Sequence, residues 1–310
     1  MHLCHVTATL DLSGTPTAVQ ALDTAMRAHD PSLRVSFLTK ENGEIGARLG
    51  AVTSPSGIIG TPDVLLIHHS TVAKWAINAW PLARRVFYHH GHPLTPDHCP
   101  RHWTWDAILS INHQCTEQMR RERITGSIEM LRDAVDRSIY TCVTPPQPRS
   151  ATHAPRVLFV SNYKRWRNYQ RLEAACKKMS WPLTAVGSHY GRARDAVAMA
   201  SRMNEADLIV SWGRGILEGA ACGRPVISYD QELGDGYLTI PRFLDSRERN
   251  FSGYECRYPM GMPELCEALE QYDPADGARL ASLIAQEHDI HSAAVRCLDI
   301  LTRVLTSTTA

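Results

Sequence analysis

The stretch ADLIVSWGRGILEGAACGRPVISYD, residues 206–230, decides how the chain is read. Residues 207–211 are a short apolar run of the kind a buried parallel strand needs. Gly213 and Gly215 then predict a tight turn that brings backbone N–H groups to a helix start. Residues 216–222 read as that helix, and Gly223 with Pro225 stops it. Residues 225–229 read as the next strand, so two buried strands flank a helix of about two and a half turns. The first amides of such a helix have no partner within it, and its dipole favours negative charge there, so a phosphate suits this end. Glu218, read as part of the first turn, is stabilised by the same dipole and can accept ligand hydroxyls. Phosphate and polyol held side by side is what a nucleotide sugar requires.

Two other readings compete for this stretch. Gly213, Gly215 and Gly219 followed by Asp230 also fit a dinucleotide fingerprint. Against that reading, the helix is too short for the usual unit of roughly 30 residues, and the acid arrives before the usual spacing of about 20. The stretch also lies deep in the chain rather than near its start. A purely structural turn is the second alternative. The phosphate loop ending in Gly-Lys-Ser/Thr is absent.

Residues 215–227, GILEGAACGRPVI, resemble the donor-binding segment of family-4-type GT-B glycosyltransferases. That family reads roughly Gly, two or three apolar residues, then Glu-Ala-Met-Ala-Cys-Gly-x-Pro-Val-Ile. The resemblance implies that Glu218 contacts the donor ribose. It implies equally that the loop amides of Gly213, Arg214, Gly215 and Ile216 contact the diphosphate. The family often carries a second glutamate eight residues before the first, and here that position is Val210. The implied fold is α/β GT-B: two Rossmann-like α/β/α domains facing each other across a cleft.

Length and composition agree with two domains. The 310 residues are 44% hydrophobic and 21% charged, enough for sizeable cores. No apolar run approaches the roughly 18–20 residues of a membrane span, and the first residues lack the basic and apolar regions of a signal peptide. Nine cysteines, odd in number and without a Cys-x-x-Cys pair, predict a reducing, cytoplasmic setting. Net charge is only +1, but residues 156–194 hold nine Lys/Arg against the single acid Glu173, which implies an anionic ligand.

Working outward, residues 2–7 predict a first strand, followed by Gly14 and Thr15 in a polar loop and a helix over 18–28. Ser13 or Thr15 is expected to cap that helix, with Pro16 at its first position. In GT-B enzymes a glycine loop at this place lies near the donor phosphates, a role the resemblance gives to Gly14 and Thr15. Residues 63–69 and 85–88 predict strands with a helix over 72–83 between them. Their ends deliver His68, His69, His89, His90 and His92 to one edge of a parallel sheet, where open α/β sheets bind ligands. The resemblance points to His90 as the sugar- or acceptor-facing residue. His98-Cys99-x-x-His102 holds zinc-type ligands at a spacing that fits no strong pattern, so no metal is expected. A further strand over 106–111, helices over 116–123 and 127–136, and a strand over 138–143 complete the first half. The four prolines of residues 144–155 predict a linker.

Domain limits follow: 1–148, a linker at 149–155, a nucleotide-sugar-binding domain at 156–288, and a helix over 289–310 expected to pack back on the first domain. The loop after the strand at 156–161 stands where the family has an arginine and a lysine that neutralise the diphosphate. Asn162 and Arg167 occupy those positions, with Lys164 as neighbour, so Arg167 and Lys164 are assigned that role. A guanidinium grips phosphate in bidentate fashion, which suits an arginine here. The turn Gly187-Ser188-His189 is expected to face the nucleotide base. Residues 231–237 read as a loop.

The expected activity is hexosyl transfer from a nucleoside-diphosphate sugar, UDP-linked by preference, to a hydroxyl, with retention and without an obligatory cofactor. The interleaved cations and rings at Tyr163, Lys164, Trp166, Arg167 and Tyr169 suit nucleic acid, so a hydroxymethylated DNA base is one acceptor considered. The alternatives are a nucleotide-sugar epimerase of the same fold and a non-catalytic nucleotide-sugar-binding protein.

Overall fold

The computed structural model describes residues 1–91, 98–162, 166–191, 193, 195–231, 233–251 and 259–307, without the side chain of Trp166. The chain divides into two compact units, Met1–Ala134 with Ile290–Ala310, and Val135–Asp289.

In the first unit the chain runs through β1 (His2–Thr9), α1 (Gly14–His29), β2 (Arg34–Glu41), α2 (Glu44–Leu49), β3 (Val64–Ile67), α3 (Ser70–Ala79), β4 (Arg84–His89), β5 (Ala107–Ser110), α4 (His113–Arg121) and β6 (Ser127–Met130). The strands form a parallel sheet in the order β2-β1-β3-β4-β5-β6. Every residue of β3 and of β5 is buried, because helices cover both faces of the sheet. On one face α3 inserts Val72, Ala73, Ala76 and Ile77, a stripe with helical period. On the other, Leu22, Ala25 and Met26 of α1 pack over Leu3, Leu66 and Val86.

The second unit contains β7 (Val157–Val160), α5 (Trp166–Met179), β8 (Leu183–Val186), α6 (Ala196–Glu205), β9 (Leu208–Ser211), α7 (Arg214–Ala221), β10 (Val226–Asp230), β11 (Leu233–Tyr237), α8 (Ile240–Arg247), α9 (Met262–Glu270) and α10 (Pro274–Glu287). Its sheet order is β11-β10-β9-β7-β8, parallel apart from β11. The last helix, α11 (Ile290–Thr306), belongs to the first unit, where Ala294, Cys297, Leu298 and Leu301 join the core beside α1.

Several local expectations change. Residues 127–130, read as helix, form β6: Ile128 and Met130 alternate with polar neighbours, and Ile128 pairs with Ile108 of β5. Residues 138–143 add no strand to the first sheet; the amide N–H groups of Ile139 and Tyr140 donate to the Asp136 carbonyl in a turn, and Tyr140 is buried in the second unit's core. The loop read at 231–237 is the antiparallel edge strand β11. Gly234 is needed there, since a Cβ would lie 2.1 Å from the Ser228 carbonyl oxygen.

The proline-rich segment also lies differently from its reading as an interdomain linker. The division falls at residue 134, and residues 144–155 are strapped onto the second unit. Arg224 is fully buried and donates to the carbonyls of Thr144 and Asn204. Asp207 accepts from the Gln147 amide at 3.3 Å, and the Tyr272 hydroxyl donates to the Gln147 carbonyl at 2.6 Å. The guanidinium also donates to the Asn204 side-chain oxygen at 2.9 Å, so the Thr144 carbonyl is one of several acceptors it draws around itself, and this bond helps to hold the segment on the second unit.

Candidate functional site

Strand order fixes where a ligand can sit. In an open parallel sheet the crevice lies outside the carboxyl ends of the strands, where the winding direction changes. In the second sheet that point lies between β7 and β9, and in the first between β1 and β3. The loops leaving β7 and β9 carry Ser161, Asn162, Trp212 and Gly213. Beyond β1 the first residues of α1 are Gly14 and Thr15, and the segment leaving β3 carries His68 and His69. Of the residues singled out from sequence, Gly14, Thr15 and Gly213 thus lie at their own unit's switch point, whereas His90 follows β4 and Gly187, Ser188 and His189 follow β8.

Between β9 and α7 only Trp212 and Gly213 intervene. Gly213 has φ 57° and ψ −129°, a conformation closed to side-chain-bearing residues, and it brings no side-chain cap to α7. Gly215 lets the first turn close on β9, since a Cβ there would meet Ser211 Oγ at 2.2 Å. The helix starts at Arg214, two residues earlier than the reading from sequence. Glu218 therefore lies in the second turn, where the dipole stabilises a carboxylate less. An ion pair holds it instead: Arg214 Nε donates to Glu218 Oε1 at 2.9 Å. Tyr140 hydrogen-bonds to the same carboxylate, and burial, reinforced by the Glu218 charge, pushes its phenol far above the ordinary range. Val210 is fully buried within β9 among core residues, so the position eight before Glu218 is a packing site.

Around β7 and β10 a polar cluster forms on Asp230, which the sequence offered only as the acid of a dinucleotide fingerprint. Asp230, at the carboxyl end of β10, accepts from Ser161 Oγ at 2.6 Å, from Asn168 Nδ2 at 2.9 Å and from the Gln231 amide at 2.7 Å. Asp230 thereby ties the first turn of α5 to the ends of β7 and β10. The polar end of the otherwise apolar VISYD strand was the available signal. Arg167 stands exposed in the first turn of α5, next to Asn168. Lys164 lies outside the described residues. Gly187 passes tightly over β7, where a Cβ would sit 1.8 Å from the Ser161 carbonyl oxygen. Ser188 donates through its amide and hydroxyl to Asn162 Oδ1, at 3.1 and 3.0 Å, and His189 is exposed at the tip of the turn. Asn162, aligned with a cation in the resemblance, thus shapes the turn at Gly187, Ser188 and His189.

In the first unit α1 begins at Gly14, with Thr15 second and Pro16 third. Ser13 precedes them without capping through its side chain. A Cβ on Gly14 would meet nothing within 4 Å, so packing does not require glycine there. His90 lies just past β4, and its Nε2 is 2.8 Å from His68 Nδ1. His69 Nδ1 accepts the Ala8 amide at 3.1 Å, and burial holds this imidazole down to about 4. Among the described residues no group of three His, Cys, Asp or Glu could hold a metal ion. Among them, too, no helix is long and apolar enough to cross a membrane.

No family model and no curated protein matches the chain. Solved structures do. Sucrose-phosphate synthase from Thermosynechococcus elongatus aligns with TM-score 0.67 at 12% identity, over 99% of this chain and 100% of that one. A proposed UDP-N-acetylglucosamine 2-epimerase from Listeria monocytogenes gives TM-score 0.58 at 12% identity, over 98% and 97%. An alpha-glucosyltransferase in complex with UDP and a 13-mer DNA containing an HMU base gives 0.57 at 14%, over 97% and 99%. At these identities the likeness is one of fold, and the fold is GT-B: two α/β units built on parallel sheets.

Proposed function

We propose that this chain is a glycosyltransferase that moves a hexose-type sugar from a nucleoside-diphosphate sugar, UDP-linked by preference, to a hydroxyl acceptor. The observation that carries the reading is the start of α7. An uncapped, glycine-led helix end at the switch point of the second sheet stands beside a buried Arg214–Glu218 pair. The diphosphate is assigned to the amides of Gly213, Arg214 and Gly215, the Ile216 N–H being taken by the Gly213 carbonyl at 3.0 Å, with Arg167 and Lys164 supplying positive charge. Glu218, fixed in place by Arg214, is assigned the ribose, and Gly187, Ser188 and His189 the base. His90, Gly14 and Thr15, at the carboxyl edge of the first sheet, are assigned to the sugar and acceptor side.

In the reaction the bond from the anomeric carbon to the diphosphate oxygen breaks, its electron pair leaving with the nucleoside diphosphate. The acceptor oxygen bonds to the anomeric carbon, and its proton passes to the departing phosphate. The protein's main task is to stabilise the charge developing on that phosphate, which amides and guanidinium groups already in place do without reorganising. With the phosphate as proton acceptor no side-chain base is required, and retention follows.

As acceptor we propose the hydroxymethyl group of a modified DNA base. Support comes from the basic and aromatic segment around Arg167 and from the DNA-bound neighbour of the same fold. Within that segment Tyr169 packs against Tyr190, their ring centroids 5.3 Å apart, at the partly buried edge of the core. Binding to duplex DNA should weaken with salt, each phosphate contact adding about −0.9 to the log–log slope. A slope near zero removes DNA as acceptor.

The function is tested by thermal stabilisation with UDP, GDP and their sugars, followed by donor turnover with and without acceptor hydroxyls. A ligand at a hundred times its Kd adds about 2.7 kcal/mol, well within detection. Stabilisation by one nucleotide series, lost in Glu218→Ala, is expected. Indifference to every nucleotide overturns the reading; an epimerised donor sugar formed without acceptor identifies the epimerase, and binding without turnover the binding protein.

A further inference from the structure

Strand β10 ends out of pattern. Along it the side chains alternate: Ile227 and Tyr229 pack in the core that holds Leu172 and Cys176 of α5, while Val226 lies in the opposite core and Ser228 Oγ donates to the Phe251 carbonyl on that side. Continued alternation would place Asp230 with Val226 and Ser228. Its partners lie on the α5 side instead. Asn168 Nδ2 donates to Asp230 Oδ1 at 2.9 Å, and Ser161 Oγ donates to Oδ2 at 2.6 Å. Two irregularities accompany this change of face. The pairing with β11 shifts register between Ser228 and Asp230, and Gln231, though not glycine, takes φ 49° while its amide donates to Asp230 Oδ1 at 2.7 Å.

What these departures hold is the first turn of α5. Asn168 is 1% exposed and is grasped from two consecutive residues of β10, its side chain by Asp230 and its carbonyl by the Tyr229 hydroxyl at 3.3 Å. Asp230 is itself 2% exposed. A carboxylate taken out of water is costly unless donors surround it, so the cluster favours one arrangement of its members. Arg167 directly precedes Asn168 and is exposed. An exposed arginine has many rotamers, so the region its guanidinium can reach is set by where its Cα stands. Asn168 fixes that place. A residue in the left-handed region costs free energy and persists where its surroundings demand it, often beside a ligand site.

We infer that Asp230 is a positioning residue for Arg167: through Asn168 it sets the first turn of α5 where the Arg167 guanidinium meets a nucleoside diphosphate. This rests on the assignment of Arg167 to the diphosphate under the function proposed above. The carboxylate acts as a hydrogen-bond acceptor and not through its charge, which would repel a phosphate in the same region. An amide in its place meets the same geometry. Its oxygen accepts from Asn168 and Gln231, and its NH2 donates to the Ser161 hydroxyl, which accepts as readily as it donates. A methyl group at the same position meets none of it.

The test compares the UDP affinity of Asp230→Asn and Asp230→Ala by isothermal titration. Both variants lose the charge, so the gap between them reports the hydrogen bonds. Asp230→Ala is expected to bind UDP at least fivefold more weakly than Asp230→Asn. In the Arg167→Ala background the two should bind within about twofold of each other, because the side chain they position is gone. A smaller gap with Arg167 present overturns the proposal, as does a gap above twofold without it, the mark of a general loosening of the site. Circular dichroism shows whether each variant is folded. Should Asp230→Ala not fold, Asn168→Ala measured against the parent chain replaces it, cutting the same bond from the α5 side with the carboxylate kept; the same gap and the same dependence on Arg167 are expected. An Arg167→Ala chain that binds UDP as the parent does removes Arg167 from the diphosphate site, and the inference falls with that assignment. Weaker binding in Arg167→Ala without a gap at position 230 removes the positioning role alone and leaves the assignment standing.

Discussion

Arg214 Nε lies 2.9 Å from Glu218 Oε1 across one turn of α7, each side chain only 8% exposed. The order is unfavourable for an isolated helix, because the cation stands at the positive end of the dipole. The pair is therefore not there to strengthen α7. It holds a carboxylate and a guanidinium in fixed positions at the helix end, where an incoming anion would improve the surroundings of Arg214.

Breaking such a pair leaves a buried charge uncompensated. Arg214→Ala and Glu218→Ala should each lower the unfolding free energy by about 3–5 kcal/mol, while the double variant loses less than the sum. Urea unfolding of the three variants measures this; strict additivity would mean that the two side chains do not interact in solution.

Arg167 is exposed, and its removal should leave the fold alone. Charge-assisted hydrogen bonds are worth about 1.5–3 kcal/mol, so Arg167→Ala should weaken nucleoside-diphosphate binding by roughly ten- to a hundredfold. Isothermal titration alongside a melting curve checks both halves. An affinity equal to that of the parent removes Arg167 from the diphosphate site.

Two glycines in the second unit's loops, Gly213 and Gly187, are expected to fail for different reasons. Gly213→Ala forces a side chain into φ 57°, a strain of about 1–3 kcal/mol, at the amides assigned to the ligand. It should reduce nucleotide binding more than stability. Gly187→Ala drives a Cβ to 1.8 Å from the Ser161 carbonyl oxygen and should mainly destabilise the unit. Melting temperatures measured with and without UDP separate the two effects.

Stability should fall in acid through the buried histidines. Burial holds His5 down to about 3 and His69 down to about 4, each from an ordinary 6.5, and His68 well below it. Below pH 6.5 the unfolded chain takes up protons that the fold refuses, so stability is fully present above that pH. It declines as the pH falls towards 4, each group costing up to about 1.4 kcal/mol per pH unit. Urea midpoints at pH 7, 6 and 5 should drop accordingly, with a shallower fall in His5→Phe. Parallel profiles for the two proteins would mean that His5 is not held neutral.

Much of the fold was legible because its signals are local. Apolar runs of three or four residues mark β3, β7 and β9, and Gly223 with Pro225 marks the end of α7. The edges were harder. β6 is a four-residue strand with one exposed side chain, too short for its alternation to stand out, and β11 contains two glycines, which read as loop. The proline-rich segment at 144–155 looked like a linker because nothing in it is periodic. Its place was set by Arg224 and Asp207, some 50 to 80 residues away.

The sequence by itself determined the alternation of strand and helix, the glycine-led turn into α7 and the delivery of histidines to strand ends, since each depends on residues within a few positions of one another. Tertiary structure alone decided what those residues touch. His5, His68 and His90 are separated by 63 and 22 positions and meet only because β1, β3 and β4 lie side by side. Likewise, the start of α7 at Arg214 moved Glu218 into the second turn and made the pair with Arg214. Hydrogen bonds and charges act over a few ångströms in space, and strand order, which local pattern does not encode, decides which groups come within that range.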